Sequence, residues 1–369
     1  MIYVFYNNDP LAEDQGGGAE HFRSIFKILE KSGTEFKLVA SRLQDARSHP
    51  RIDYVSRGAN FGLFFIGMLG WFWRNRRQFR DADVFHFHRN YAAWPKYLLT
   101  PRRGRVVISY HGVTGRVLAS RLGPFAGPLR RLMLVFERRA VARADRVILV
   151  NAGDREELAR VVEREVFARA EVVPAGFSAS PFLALPPPPP PLAHRLLFLG
   201  RITRLKNPQL AVDVLEWLAA AGEPYSLTIA GDGEEAPALA ARLDRSPFRE
   251  RIRWLGRVPH ARVPQLFAEH GILLLTSASE ASPTVVKEAL AAARPVVTTD
   301  VGDVRLWIEE GATGFVRSPE VPELAQAVRA ASDLVRTGRV RRSQRVLAAR
   351  EEVVVGRVVE LYRELARVG

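Results

Sequence analysis

The chain has 369 residues, about the right length for two domains. Hydrophobic residues make up 47% and charged residues 25%, a balance that excludes wholesale disorder, and the absence of cysteine excludes a disulfide scaffold, a thiolate zinc site, an iron–sulfur cluster and a cysteine nucleophile. Lys and Arg total 54 against 40 Asp and Glu, which gives a net charge of +14.

Strand-like and helix-like patterns alternate along the first half of the chain. The first residues lack the basic and long apolar segments of a signal peptide, so we expect a strand there. The predicted strands are Ile2–Tyr6, Phe36–Ala40, Asp83–His88, Arg105–Tyr110, Arg146–Val150 and Glu171–Pro174. The predicted helices are His21–Lys31, Tyr91–Leu99 and Pro128–Ala144. This alternation predicts parallel sheets and an α/β fold.

Six consecutive prolines, at positions 186–191, predict a stiff connector, and the α/β pattern then restarts. The second series of predicted strands is Leu196–Leu199, Ser226–Ala230, Arg251–Leu255, Ile272–Thr276 and Pro295–Thr299, with a helix at Asn207–Leu218. We therefore expect one domain over residues 1–185, a second over residues 192–352, and a helix over residues 353–369 that could pack back on the first domain. Ligands of such sheets bind at the carboxyl ends of the strands.

The positive charge is concentrated in the first half of the chain. Between Arg57 and Arg131 there are 14 basic residues and two acidic ones. Such a region favours an anionic partner, for which a membrane surface, a phosphorylated acceptor and nucleic acid are the candidates. An arginine-rich composition spread over solvated faces would give the same count, so both interpretations stay open.

Two loops at predicted strand ends carry residues suited to binding phosphate. Gly17 and Gly18 precede the first helix, where backbone N–H groups can approach a phosphate or a sugar. The loop lacks the G-x-G-x-x-G pattern, so a nicotinamide cofactor is not supported. Arg201 and Lys206 follow the first strand of the second half and could hold a diphosphate. A tight turn and two solvated cations would explain the same residues.

Glu280 and Glu288 frame the start of another predicted helix. Pro283 suits its first turn, and we expect Ser282 to be the N-cap. The two carboxylates could face one ligand and accept hydrogen bonds from paired hydroxyls, as in ribose or a hexose. The alternative is a capping acid and a solvated helix acid.

Three further patterns have ordinary explanations beside functional ones. Asp81 and Asp83 could bind a divalent cation, but their place before a strand favours a turn or cap. His86 and His88 share a strand face, and we expect a structural pair because no third ligand accompanies them. The apolar run Phe61–Trp73 is too short to span a bilayer, which needs about 20 residues. It suits either an interfacial membrane helix or a helix packed on a sheet.

Taken together, these motifs resemble the GT4-type (group 1) retaining glycosyltransferases of the GT-B fold over nearly the whole chain. The most specific part is the E-x7-E element at Glu280 and Glu288, with the segments that follow it through Val316. The other segments match in order at Gly17–Glu20, His111–Gly112, Gly200–Arg201 with Lys206, Gly231–Gly233 and Gly256–Val258. The resemblance implies two Rossmann-like α/β domains facing each other across a cleft. It also implies a hexosyltransferase that retains anomeric configuration and needs no metal or other cofactor.

The resemblance also assigns roles to residues, with a UDP- or GDP-linked sugar as donor. The expected catalytic residues are His111, near the transferred sugar, Glu280, which touches that sugar, and Arg201 and Lys206, which hold the diphosphate. Glu288 would bind the ribose hydroxyls. The remaining donor contacts would come from Gly17, Gly18, Gly231, Arg257, Val258, Ser282, Pro283, Thr284 and Val285. Arg257 and Val258 would meet the base through their backbone.

Four residues depart from the family pattern. Ala281, Ala293 and Asp303 stand where Gly is usual, and Leu306 stands where an acidic residue is common. Ala281 narrows the space beside the donor sugar, whereas Asp303 and Leu306 are expected to lie further off. These departures bear on donor identity more than on the class of reaction.

The acceptor is expected to be a lipid-linked or cell-envelope glycan, as in polysaccharide biosynthesis. The basic stretch and the adjoining run Phe61–Trp73 predict a cytoplasmic enzyme that docks on an anionic inner membrane face. The alternatives are a soluble enzyme with a small polar acceptor, a sugar-nucleotide epimerase or hydrolase, and a basic nucleic-acid-binding protein that kept the scaffold. Glu280 and Glu288 argue against the last, because binding nucleic-acid phosphates gains nothing from carboxylates.

Overall fold

The structure is a computed structural model that describes residues 1–11, 25–31, 33–43, 48–58, 60–110, 127–151 and 164–367. It forms two compact units. The first unit holds the described residues up to Ala175 together with those from Glu352 onward, and the second holds Gly176–Glu351.

The boundary between the units therefore lies before the predicted one at residue 185, and the proline run belongs to the second unit. Backbone hydrogen bonds explain the difference. The amide of Phe177 donates to Ala349 (3.1 Å), and the amide of Glu351 donates to Phe177 (3.0 Å). Farther along, the carbonyl of Pro186 accepts from the guanidinium of the buried Arg294 (2.6 Å). The prolines are thus anchored within one unit.

The first unit is built on a seven-stranded sheet. Its strands are β1 (Ile2–Tyr6), β2 (Phe36–Arg42), β3 (Ile52–Arg57), β4 (Val84–Phe87), β5 (Arg105–Tyr110), β6 (Arg146–Leu149) and β7 (Ala170–Val172). They lie in the order β3-β2-β1-β4-β5-β6-β7, and every neighbouring pair is parallel. Its helices are α1 (Phe61–Asn75), α2 (Trp94–Leu99), α3 (Gly127–Ala142) and α4 (Arg164–Ala168), with helical residues at 25–31 and a 3-10 turn at Asn90–Ala93.

The second unit repeats this plan with six strands. They are β8 (Arg195–Leu199), β9 (Ser226–Ala230), β10 (Ile252–Trp254), β11 (Ile272–Leu275), β12 (Val296–Thr299) and β13 (Gly314–Arg317). All pair in parallel in the order β10-β9-β8-β11-β12-β13. Its helices are α5 (Ser180–Leu183), α6 (Pro208–Ala220), α7 (Ala236–Asp244), α8 (Val263–Glu269), α9 (Thr284–Ala291), α10 (Val304–Trp307) and α11 (Val321–Arg336). The last helix, α12 (Glu351–Arg367), belongs to the first unit from Glu352 onward. The 3-10 turns are Pro190–Leu192, Arg249–Arg251, His260–Arg262 and Arg345–Ala349.

Both sheets are covered on both faces, which explains their continuous apolar strands. In β8, Leu196 and Phe198 belong to one buried cluster, whereas Leu197 between them belongs to another. Successive strand residues point to opposite faces, so each face needs its own layer of helices. The predicted α/β class with parallel sheets is confirmed.

Helix α12 packs on the sheet of the first unit. Val354, Val358 and Tyr362 join the cluster that contains Ile2 and Val4 of β1. The hydroxyl of Tyr362 lies 2.5 Å from Nδ1 of the buried His86 in β4. Burial raises the pKa of the Tyr362 hydroxyl far above its usual range, so it stays a neutral hydrogen-bonding group.

Helix α1 has two different apolar faces. Phe64, Met68 and Phe72 are buried in the core of the first unit. On the other side, Ile66 and Trp73 are 65% and 58% exposed, and Leu63 and Phe61 are exposed as well. None of the described helices is both long enough and apolar enough to cross a membrane.

Candidate active site

The predicted donor-site residues of the second unit lie in loops at one edge of its sheet. Gly200, Gly231, Gly256 and Glu280 follow β8, β9, β10 and β11 respectively, and these four strands are parallel neighbours. Backbone hydrogen bonds join the loops, for example from Gly231 to Gly256 (2.8 Å). Residues distant in sequence are therefore brought to one place, as the strand-end argument predicts.

Glycine is required where two of these loops meet. Gly231 has a φ of +149°, and a Cβ atom built on it would lie 1.8 Å from the carbonyl oxygen of Gly200. Any larger residue would push the loops after β8 and β9 apart. The close approach leaves backbone, rather than side chains, lining this stretch of the edge.

Lys206 and Glu280 form the centre of the site. The Nζ atom of Lys206 donates a hydrogen bond to Oε1 of Glu280, and the hydroxyl of Ser277 donates to the same oxygen at 2.8 Å. The side chains of Lys206 and Glu280 are 24% and 12% exposed. The aliphatic part of Lys206 passes over Gly200, whose built Cβ would lie 3.8 Å from Cδ. The ammonium group is therefore fixed in place while it still reaches solvent.

Arg201 differs from Lys206 in its surroundings. Its side chain is 68% exposed, and its guanidinium lies 3.6 Å from the carboxylate of Glu234, whose side chain is 65% exposed. A pair this exposed contributes little to stability, so Arg201 can turn to an incoming anion at small cost. Arg257, after β10, is also exposed, and Val258 packs partly against the core.

Glu288 is more deeply placed than the sequence alone indicates. It lies one and a half turns into α9 and is only 5% exposed. Its Oε1 atom is 3.0 Å from Nε2 of His260, in the 3-10 turn after β10. Sequence reasoning missed His260; its only signal is its place shortly after the Gly256–Val258 turn. The contact fixes one carboxylate oxygen and leaves the other for a ligand.

The expectation that Ser282 caps α9 is wrong. Pro283 is the N-cap residue, and no side chain caps the helix. The Ser282 hydroxyl instead donates to Oδ2 of Asp303 at 2.6 Å. The loop after β12 therefore folds directly behind the start of α9 and brings Asp303 beside it. Thr284 and Val285 form the first turn of α9, whose amide groups lack helical partners.

The acidic pair and the histidine pair considered as metal ligands lie in the first unit. Asp83 is buried and accepts from the amide of Arg80 (2.8 Å), and Asp81 pairs with Arg103 at the surface. Both carboxylates thus have turn or surface roles. The ring of His86 in β4 lies 4.3 Å from that of His88, which directly follows the strand. Among the described residues, no three His, Asp or Glu side chains cluster in a way that could hold a metal ion.

Three of the predicted site residues lie outside the described residues: Gly17, Gly18 and His111.

Comparison with known families covers most of the chain. Residues 15–180 match the family described as Glycosyltransferase Family 4, and residues 193–333 match the family described as Glycosyl transferases group 1. An α-D-kanosaminyltransferase of Streptomyces kanamyceticus is 31% identical over 134 residues, which is 36% of this chain and 35% of that protein. The matched regions span about a third to three fifths of the length of the first curated relatives.

Solved structures match the whole fold. A sucrose-phosphate synthase of Thermosynechococcus elongatus superimposes with a TM-score of 0.78 at 18% identity, covering 100% of this chain and 99% of that one. The Anabaena protein HepE, solved in complex with UDP-glucose, gives a TM-score of 0.68 at 17% identity, covering 100% and 99%. At these identities the likeness establishes the fold, which is that of the GT-B glycosyltransferases.

Proposed function

The chain belongs to the group 1, family 4 glycosyltransferases, and from that premise we propose that it is a hexosyltransferase using a UDP- or GDP-linked sugar. The transfer retains anomeric configuration, needs no metal, and delivers the sugar to a glycan or lipid-linked acceptor. The observation that carries the proposal is the contact between Lys206 and Glu280 at the ends of two neighbouring strands. A cation for phosphate and a carboxylate for sugar hydroxyls meet there.

Arg201 and Lys206 bind the diphosphate in this proposal. Lys206 is held by its stem over Gly200, and Arg201 is exposed and free to turn. As the sugar departs, negative charge develops on the leaving phosphate, and fixed cations stabilise that charge more in the transition state than in the ground state. These side chains do the electrostatic work that a divalent cation does in other transferases.

Glu288 binds the ribose of the donor nucleotide, and Glu280 binds the hexose that is transferred. Glu288 accepts hydrogen bonds from the ribose hydroxyls through the oxygen that His260 does not occupy. Glu280 contacts the hexose while Lys206 and Ser277 keep its other lone pairs engaged. The backbone amide groups near Ser282 to Val285 add hydrogen-bond donors for the donor sugar. The structure of HepE with UDP-glucose supports a uridine nucleotide as the first donor to test.

Retention follows if the acceptor attacks the face of the sugar from which the nucleotide leaves. The bond from the acceptor oxygen to C1 forms as the bond from C1 to the phosphate oxygen breaks, and the acceptor proton passes to that departing oxygen. No side chain of the second unit is needed as a base in this step. Its residues orient the donor and neutralise the leaving diphosphate.

A donor screen tests the proposal. Thermal shift against UDP, GDP and ADP identifies the base, and transfer assays with each matching sugar nucleotide then identify the sugar. We expect one nucleotide to raise Tm, transfer to persist in EDTA, and NMR of the product to show the donor's anomeric configuration. Inverted product, complete loss in EDTA, or interconversion of the donor sugar without transfer would overturn the retaining, the metal-independent and the transferase assignments respectively.

The exposed face of α1 supports a membrane-associated acceptor. An exposed apolar stripe on one side of the helix consists of Leu63, Ile66 and Trp73, opposite the face that packs in the core. Arg74 and Arg77 lie exposed at the end of that stripe, and Arg76 stacks over Trp73 with its guanidinium carbon 4.5 Å from the ring centroid. Apolar side chains that enter a bilayer interface and arginines that meet anionic headgroups act together. We place the enzyme reversibly on the anionic cytoplasmic face of a membrane, where a lipid-linked acceptor would be within reach.

A further inference from the structure

A chain of three polar side chains lies behind the loop that carries Glu280. Nζ of Lys287 donates to Oγ of Ser282 at 2.6 Å, and Oγ of Ser282 donates to Oδ2 of Asp303 at 2.6 Å. The ammonium also lies 5.0 Å from the ring centroid of Trp307. Lys287 and Ser282 are within the E-x7-E element, whereas Asp303 and Trp307 come from the segment after β12. These side-chain contacts therefore connect the two loops through Ser282.

The two charged side chains in this series of contacts are deeply buried. Lys287 has no exposed surface, and Asp303 is 4% exposed. Oδ1 of Asp303 is buried without a hydrogen-bond partner among the described residues. Burying two opposite charges costs free energy that well-packed apolar side chains would not, so their presence is weak evidence for a role in stability alone. A role in fixing the geometry of the loop explains why it would be kept.

The backbone of the two loops is also in close contact. Gly302, next to Asp303, has a φ of +56°, and a Cβ atom built on it would lie 2.4 Å from the carbonyl oxygen of Ala281. The same Cβ would lie 3.1 Å from the carbonyl oxygen of Glu280. The segment after β12 thus forms a wall against the loop that presents Glu280.

We propose that Lys287 and Asp303 are positioning residues for the transfer reaction: through Ser282 they hold the backbone from Glu280 to Pro283 in the conformation that the donor sugar requires. The proposal rests on the donor site described under Proposed function. The diphosphate is held by Arg201 and Lys206, which this chain of contacts does not include. Removing the contacts between Lys287, Ser282 and Asp303 should therefore slow sugar transfer more than it weakens nucleotide binding.

A pH dependence follows from the same contacts. Burial lowers the pKa of the Lys287 ammonium to about 8, while the carboxylates of Asp303 and then Glu288 oppose the shift. Above that pH the lysine is neutral in the folded protein, and the carboxylate of Asp303 loses its cation. Turnover should then decline. The free energy of unfolding should not decline with it through this group, because in that range the unfolded chain binds the proton more tightly.

The experiment compares Asp303→Asn and Lys287→Met with Asp300→Asn, a matched control on the same loop. Asp300 is exposed and pairs with Arg305. We expect kcat to fall about tenfold or more for the two buried variants. Kd for UDP, or for whichever nucleotide the donor screen selects, should change by less than about threefold, and the control should resemble wild type. Ser282→Ala, which removes only the hydroxyl, serves if a charge variant fails to fold.

The decline of kcat at alkaline pH provides a second measurement. Asp303→Asn should move the midpoint of the decline in kcat to lower pH, because the carboxylate raises the pKa of Lys287, and Lys287→Met should abolish it. Unchanged kcat in Ser282→Ala and Asp303→Asn would overturn the proposal, as would parallel losses in kcat, nucleotide affinity and Tm.

If wild type transfers no sugar, the proposed function fails instead. A fluorescence titration of Trp307, with Lys287→Met as reference, still tests the contact: a transition near pH 8 that Asp303→Asn lowers supports it, and no transition overturns it.

Discussion

The ammonium group of Lys206 donates a hydrogen bond to Oε1 of Glu280, although the two residues are 74 positions apart in the sequence. Their loops follow β8 and β11, which are neighbours in the sheet. The pair is only partly exposed, so each charge depends on the other in the free protein. In the proposed donor site, a diphosphate that approaches Lys206 would meet a cation already oriented, and Glu280 is held by Ser277 from a second direction. The contact thus prepares both groups before the ligand arrives.

Lys206→Ala should lower kcat/KM for the nucleotide sugar. One lost charge-assisted hydrogen bond costs about 1.5–3 kcal/mol, which corresponds to a roughly 10- to 150-fold decrease. Steady-state kinetics with the donor varied measures it. Arg204→Ala is the matched control, since Arg204 is an exposed cation in the same loop. An unchanged kcat/KM in Lys206→Ala, or equal losses in both variants, would remove Lys206 from the diphosphate site.

The two carboxylates should respond differently to the loss of charge. Glu288→Gln should weaken nucleotide binding, because it changes how the ribose hydroxyls are held. Glu280→Gln should lower kcat more than nucleotide affinity, because in the proposed site Glu280 touches the sugar whose charge changes in the transition state. Calorimetric Kd values for the nucleotide, set beside kcat for each variant, separate the two effects. Equal losses of nucleotide affinity with no difference in kcat would contradict this division.

The regular part of the fold was predictable because its strands are short apolar runs between turn residues. Ile2–Tyr6, Arg105–Tyr110 and Ser226–Ala230 have the predicted bounds. Ile52–Arg57 was missed because it is an edge strand in which polar residues interrupt the apolar ones, so its sequence lacks an apolar run. Gly314–Arg317 begins with glycine, which weakens a strand pattern, although a neighbouring strand pairs with it along its length.

The candidate site was predictable as far as strand ends determine it. Lys206 and Glu280 were placed together by their positions after strands, and they are in contact. The partners of the other groups depend on how loops fold over one another, which local sequence does not encode. Ser282 illustrates this: its type suits a helix cap, yet its hydroxyl bonds Asp303, 21 residues away. His260, 28 residues from Glu288, gave no comparable signal.

His260 should matter for nucleotide affinity. Its Nε2 atom holds one oxygen of the buried Glu288, so its loss leaves a buried carboxylate without that partner. We expect His260→Phe to raise the nucleotide Kd by about tenfold, in keeping with about 1.5 kcal/mol for a hydrogen bond to a charged group. His260→Gln, which keeps a donor, should recover most of the affinity. Calorimetry on the purified variants decides; equal Kd values for all three proteins would exclude the role.

Tyr362 should stabilise the first unit by fixing α12. Its hydroxyl bonds His86, which in turn lies 2.7 Å from the hydroxyl of Ser109, and all three residues are buried. Tyr362→Phe keeps the ring but removes the hydroxyl that bonds the buried Nδ1 of His86, at a cost of about 1–3 kcal/mol in the free energy of unfolding. Urea denaturation measures this cost. A difference below about 0.5 kcal/mol would mean that the contact is not formed in solution or is replaced by water.

Membrane docking through α1 should depend on both of its exposed features. Co-sedimentation with vesicles should increase with the fraction of anionic lipid and decrease with salt. Replacing Arg74, Arg76 and Arg77 by Ser should weaken it, at about 1 kcal/mol for each basic residue near the surface. Ile66→Ser with Trp73→Ser should weaken it through the apolar part, even on strongly anionic vesicles. Because these two side chains are 65% and 58% exposed, we expect the fold to tolerate their loss.

A matched charge control separates docking from general electrostatic attraction. Arg245, Arg339 and Arg341 are exposed arginines of the second unit, and replacing them by Ser removes the same net charge. If the protein binds through α1, this triple variant should co-sediment nearly as well as wild type. Equal losses in the two triple variants would show that net charge alone attracts the protein. Failure of wild type to bind strongly anionic vesicles at low salt would favour a small polar acceptor, because a lipid-linked one requires the enzyme at the bilayer surface.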